Sequence, residues 1–472
     1  MTQTAVTPHT PLAAPAKPPA PGAGDSVRLN TFQRLMRRWA QLGPYNAGQV
    51  MLITGRPDVD RWRAAAEAAI TELGLGRPVF AADGGTADDK SVRFLPASFI
   101  PIEEVACGLE DHINEELNRP FADDELPIRF FVRTTDNGAH HFGAIYNHWI
   151  ADSRAMRELM QRIFVRYQSP DGPPAPLPRL TLQQPGNYAK LFGRYVLHLP
   201  RTAALWEMFR NLRQHRHSYR INLREPLDFH SQTIYRQLPP GLIERVHRWA
   251  KQRQASVNDV FLAALGQAMG KYTAPERLAR KKKRFHFNRH RVGLGTIVDI
   301  RDWASQNLDD VFGLYLSSYT VALAQPEKTP VADLVGAVNT STRRIKKANL
   351  AIRGYCALTW ARFWWDRLPK AKNKALIFQK NVPQVAGISN VNMTGSWVDQ
   401  PPATSTSADD IPMIQDYLRI SPTGPLLPLV FTLTTIHDRL SLFVTYRTTA
   451  FTPQQAEGIV DDFMRILGEV GA

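Results

Sequence analysis

The chain has 472 residues with 58 Lys and Arg against 43 Asp and Glu, a formal charge of +15, which attracts anionic partners without specifying a fold. With 43% hydrophobic residues, 21% charged and ten tryptophans it builds packed cores, and its length suits two domains. No apolar run approaches a membrane span, and the two cysteines, Cys107 and Cys356, exclude a disulfide framework and a cysteine-based zinc site.

Residues 1–25 carry six prolines and no aromatic, a composition read as a flexible Ala/Pro-rich tail. The N-terminus lacks the basic start and apolar stretch of a signal peptide, and a cytoplasmic location is expected. In the stretch 26–167, "VMLITGRP" (50–57), "IRFFVRTTD" (128–136) and "HFGAIYNHW" (141–149) read as strands, and "DRWRAAAEAAITELG" (60–74) as a helix. A second break, "QSPDGPPAPLPRL", has five prolines and opens a connection of Pro-rich and then basic, aromatic character over 168–226. In 227–472, "LIERVHRWAKQRQA" and "SVNDVFLAALGQAMGKY" carry helical spacing. Residues 427–450 read as a hairpin turning near His437 and Asp438, and Thr452-Pro453-Gln454-Gln455 opens a last helix to about 470.

The stretch "AIYNHWIADSRAM" (144–156) carries the chemistry. Alternation sets Phe142, Ala144, Tyr146 and His148 on one strand face, and a helical stripe begins after Ser153. His148 is either a packed core histidine or a general base held at a strand end. Asp152 reads as a helix cap that pairs with an arginine, not as a reactant. His140 and His141 have no aspartate at matching spacing and read as strand-end residues. "GLGTIV" lacks a third glycine for a dinucleotide loop, and GxSxG, HExxH and phosphate-loop patterns are absent.

"NHWIADS" resembles the HHxxxDG signature of the condensation-domain superfamily, which includes peptide-synthetase condensation domains, wax ester synthases and alcohol acetyltransferases. His148 matches the second histidine and Asp152 the aspartate, while Asn147 stands for the first histidine and Ser153 for the glycine. "ASVNDVFLAAL" (255–265), "GTIVDIRDW" (295–303), "DDVFGLYLSSYTV" (309–321) and "GISNVNMTG" (387–395) resemble further landmarks in family order. The resemblance implies two chloramphenicol-acetyltransferase-like α/β subdomains forming a V around a tunnel. It implies His148 as base, Asp152 paired with Arg301, and Ser389 and Asn390 as oxyanion or substrate contacts.

An acyltransferase is therefore expected, taking an acyl-CoA or acyl-carrier-protein (phosphopantetheine) thioester as co-substrate with no bound cofactor and no metal. The acceptor is a hydroxyl ahead of an amine, lipid-like in one version. The alternative is a catalytically degenerate module that binds a carrier protein or lipid, kept open by Asn147 and Ser153. The basic run 277–291, including Arg280, Lys281, Lys282, Lys283 and Arg284, is either a solvated loop or a site for donor phosphates or an acidic carrier. Nucleic acid ranks third on charge alone. The basic, aromatic stretch 187–226 either packs between the subdomains or lies on an anionic surface at the inner membrane face.

Overall fold

A computed structural model describes residues 26–83, 86–97, 99–169, 177–182, 191–193, 202–280, 289–399 and 412–470. In the first half, helix α1 (Thr31–Ala40) leads to strand β1 (Asn46–Ile53), α2 (Val59–Leu73), β2 (Ile102–Glu104), α3 (Leu109–Asn118), β3 (Ile128–Thr134), β4 (His140–Asn147) and α4 (Ser153–Gln168). Local chemistry sets the helix ends. Asn30 and Gln33 close a capping box on α1, Asp58 accepts from Arg61 N to open α2, and Gly74 ends α2 at φ +73°.

After α5 (Thr202–Arg216) the second half contains β5 (Ser231–Gln237), α6 (Leu242–Gln252), α7 (Val257–Arg280), β6 (Arg291–Asp299), β7 (Leu316–Ala324), α8 (Val331–Lys347), α9 (Leu350–Arg367) and α10 (Ala371–Asn381). Strands β8 (Ala386–Asn392), β9 (Ile414–Ile420), β10 (Leu429–Ile436) and β11 (Arg439–Arg447) follow, and α11 (Pro453–Val470) ends the described chain. The expected hairpin turns at His437, which takes a left-handed φ of 52°. Helix α7 runs on past Tyr272 to Arg280 and carries Pro275 within it.

Two principal sheets result. The first has order β9-β1-β4-β3-β2, and the second β7-β6-β8-β10-β11-β5. Strand β9 lies within the stretch 227–472, yet it pairs antiparallel with β1 of the first sheet, Tyr417 opposite Met51. The first core packs α1, α2 and α4 on one face of the first sheet; Trp62 of α2 stacks between Phe142 and Tyr167. Ile352, Trp365 and Phe378, from α9 and α10, join the same core. A second core fills the space between the other sheet and α6, α7, α8 and α11. On the opposite face of the first sheet, Ile145, Phe131 and Ile420 pack with Phe443 of β11, so apolar contact crosses between the halves.

Candidate active site

Strand β4 ends at Asn147, and the chain turns before α4 begins at Ser153. His148 thus stands in the turn just beyond the strand on which alternation had placed it. The turn is held from outside the ladder. His148 N donates to Tyr45 O (3.0 Å), Ile150 N to Asn147 O (3.1 Å) and Asp152 N to Gly313 O (3.0 Å). Asn147 sits opposite Asn46 in the register and makes no side-chain hydrogen bond to the imidazole.

The imidazole has one committed nitrogen. Nδ1 lies 2.9 Å from Ala151 O, and because a carbonyl only accepts, Nδ1 carries the proton and Nε2 keeps a lone pair. The ring stacks on Tyr45 at 5.7 Å and meets Tyr146 edge-on at 5.9 Å. Burial lowers the histidine pKa below its ordinary value, against the opposing pull of the Ala151 bond and the Asp152 carboxylate. The resting group is a neutral imidazole, the form that accepts a proton.

Asp152 is buried and faces inward to structure. It caps α4 by accepting from Ala155 N (2.9 Å), accepts from Tyr315 N (2.7 Å), and holds Arg301 through Oδ2–Nη1 (2.8 Å) and Oδ1–Nη2 (3.2 Å). Burial alone would raise the carboxyl pKa, but Arg301 and these donors hold it below its ordinary value. Arg301 is raised in turn by the two carboxylates Asp152 and Asp299, against desolvation. The pair fastens the His148 turn to the segment after β6. Its bidentate geometry fixes orientation as well as charge.

His148 opens onto a narrow cavity of about 80 Å³ lined from both halves: Tyr45, Tyr146 and Ser153 on one side, Ser389, Arg419 and Ser421 on the other. Asn390, the next residue on β8, is not among its lining residues. Successive strand residues face opposite ways, and of these two Ser389 is the one that lines the cavity. A larger open hollow of about 540 Å³, lined by Asp111, Glu115 and His230 among others, does not include His148.

Arg419 was not anticipated. On β9 it is buried, and its donors go to neutral groups: Thr434 Oγ1 (3.2 Å), Ser389 Oγ (3.1 Å), Ser389 O (3.0 Å), Leu433 O (2.6 Å) and Ser153 Oγ (3.4 Å). Burial, then the neighbouring Arg157 guanidinium, push its pKa down, yet an arginine remains a cation. Among the described residues neither arginine forms an ion pair with a carboxylate. Arg419 therefore brings to the cavity wall a buried cation with no ion-paired carboxylate, and the Ser389 hydroxyl, accepting from Arg419, is left with its own proton to donate. The only sequence signal was a lone arginine inside the apolar run "YLRI".

Of the basic run, Lys281, Lys282, Lys283 and Arg284 lie outside the described residues, and Arg280 closes α7. The front of the run is not a loop. Arg277 is buried within α7 and bonded to Glu327 Oε2 (2.6 Å), Gly270 O and His290 O, which makes it a structural clamp. No group of three or more metal-ligating side chains occurs among the described residues, and no described helix is long and apolar enough to cross a membrane.

No family model matches the chain, and no curated protein matches it by sequence. Solved structures do. The condensation domain from monacolin K polyketide synthase MokA is 15% identical with a TM-score of 0.63, covering 95% of this chain and 98% of that one. The epimerization domain from the third module of tyrocidine synthetase B has the same identity and score, with 95% and 96% covered. The X-domain from teicoplanin biosynthesis is 15% identical with a TM-score of 0.59, with 98% and 97% covered. Across nearly its whole length, this chain has the two-subdomain α/β fold of condensation domains.

Proposed function

We propose that the protein is an acyltransferase in which His148 is the general base. The observation that carries this is the hydrogen bond from Nδ1 to Ala151 O, which leaves Nε2 unprotonated on a histidine that lines a cavity shared by both halves. An acceptor hydroxyl, or less readily an amine, attacks the carbonyl carbon of an acyl-CoA or phosphopantetheine thioester and gives its proton to Nε2. The new C–O bond forms as the carbonyl becomes a tetrahedral oxyanion. Ser389, polarised by Arg419, would donate to that oxygen. Collapse breaks the C–S bond, and the imidazolium returns its proton to the departing thiolate. No acyl-enzyme is required.

A second reading has one specific observation in its favour. A cavity of about 80 Å³ holds only two or three waters, far below the roughly 300 Å³ of an ordinary ligand pocket. A module that binds a carrier protein without reaction would need no larger space; an enzyme must part the two sheets to admit substrate. A mass-spectrometric transfer assay distinguishes them, offering acyl-CoAs and acyl-carrier thioesters with mixed alcohols and amines to wild type and His148→Ala. Product from wild type but not the variant supports transfer through His148. Carrier binding without product from either supports the binding module.

A further inference from the structure

Helix α5 is built inside out. Its polar side faces the protein: Glu207 is only 8% exposed, and Asn211 and Gln214 are half-buried. Its apolar side faces solvent, with Trp206 at 73%, Phe209 at 65%, Leu212 at 55% and Leu205 and Met208 near 40% exposure. At 100° per residue these five side chains span an arc of about 160°, the width that ordinarily faces a core.

The orientation is anchored. Just past the helix, Tyr219 N donates to Arg291 O (2.8 Å) and Arg291 N to His217 O (3.1 Å), tying the exit of α5 to the start of β6. Charge on the exposed arc has one sign. Arg213 and Arg216 are exposed there, whereas Glu207, the helix's single acidic residue, points inward and pairs with Arg210 at 3.7 Å.

From this arrangement we infer that α5 is an interfacial anchor that lies on an anionic phospholipid surface, Trp206, Phe209 and Leu212 in the acyl boundary and Arg213 and Arg216 among the headgroups. A water-facing aromatic stripe costs solvation with no gain unless another apolar phase covers it, and the arginines beside it select a negatively charged one. Such an anchor would hold the His148 cavity near lipid-borne substrates, but it stands on the helix alone and does not depend on the transfer chemistry.

The test is co-sedimentation of the full-length protein with vesicles of phosphatidylcholine alone or with about 30 mol% phosphatidylglycerol. Wild type should bind the anionic vesicles at least about tenfold better, with the preference weakening as salt is raised. The triple variant Trp206→Ser, Phe209→Ser, Leu212→Ser, altered only at exposed positions, should lose binding while keeping the wild-type melting temperature. Arg213→Gln with Arg216→Gln should lose the anionic preference. Wild type free of both vesicle types overturns the inference, as does binding undiminished in the triple variant. Binding that depends instead on the exposed Trp360 and Trp364 of α9, tested as a serine pair, would overturn it, as would an oligomer of the wild type that the triple variant dissolves.

Discussion

With Nδ1 committed to the Ala151 carbonyl, only Nε2 of His148 can exchange a proton with a substrate, so replacing the ring removes the base without removing a structural partner of Asp152. His148→Ala should lower turnover by about 10² to 10⁴ with little change in substrate binding. The rate of the wild type should rise as the imidazolium loses its proton, with a midpoint below the ordinary histidine value, and stay flat above it. A midpoint above that value in a kcat/KM pH profile would contradict a desolvated neutral base. Asp152 has the opposite task. Asp152→Asn leaves Arg301 buried with only Asp299 as a charged partner and should cost about 3 to 5 kcal/mol in urea unfolding. Because the folded carboxyl is held below its ordinary pKa, its contribution is fully present above the unfolded value of roughly 3.9 and is lost as pH falls through the folded one. The variant should therefore show a shallower loss of stability in acid than wild type. A variant with normal stability and no activity would make Asp152 a reactant instead.

At the scale of elements, β4 delivers the His148 turn, and its placement depends on how closely β3 covers it. A Cβ on Gly143 would meet the ring of Phe131 at about 2.1 Å, so the aromatic side chain lies directly across the glycine. Gly143→Ala should destabilise by about 1 to 3 kcal/mol through overpacking, and a denaturation midpoint equal to wild type would show that the ring moves aside freely. Helix α4 behaves more simply. Its start was readable from Asp152 and from the stripe Met156, Leu159, Met160, Ile163, all now in the first core. Helix α5 escaped such reading, because an apolar stripe in sequence says that a face exists and not which way it points. Its basic, aromatic composition favoured packing between the subdomains over membrane contact, and burial of Glu207 rather than Trp206 is a property of the folded chain.

For the whole molecule, β9 ties the two halves together. It completes the edge of the first sheet beside β1, and its Arg419 reaches the strands of the second through Ser389 and Leu433. The isolated stretch 26–167 would lack β9 and the side chains Ile352, Trp365, Phe378 and Tyr417 that complete its core. It should show no cooperative thermal transition by circular dichroism, and a sharp one would mean that the first sheet closes without the crossover.

The resemblance of "NHWIADS" and "GTIVDIRDW" to family landmarks pointed to His148, Asp152 and Arg301; the cap at Asp152 is a local requirement legible in its neighbours, whereas its ion pair with Arg301 spans 149 residues. The mixed α/β character was equally legible, since helical and strand periods mark burial along each segment. What only the tertiary structure decided was pairing over long separations. Nothing in "QDYLRI" states which sheet receives it, so the charged wall at Arg419 could not be read before the strands were assembled. The outward turn of α5 belongs to the same class: orientation depends on which surface a helix is anchored to, and that surface is made by residues far away in the chain.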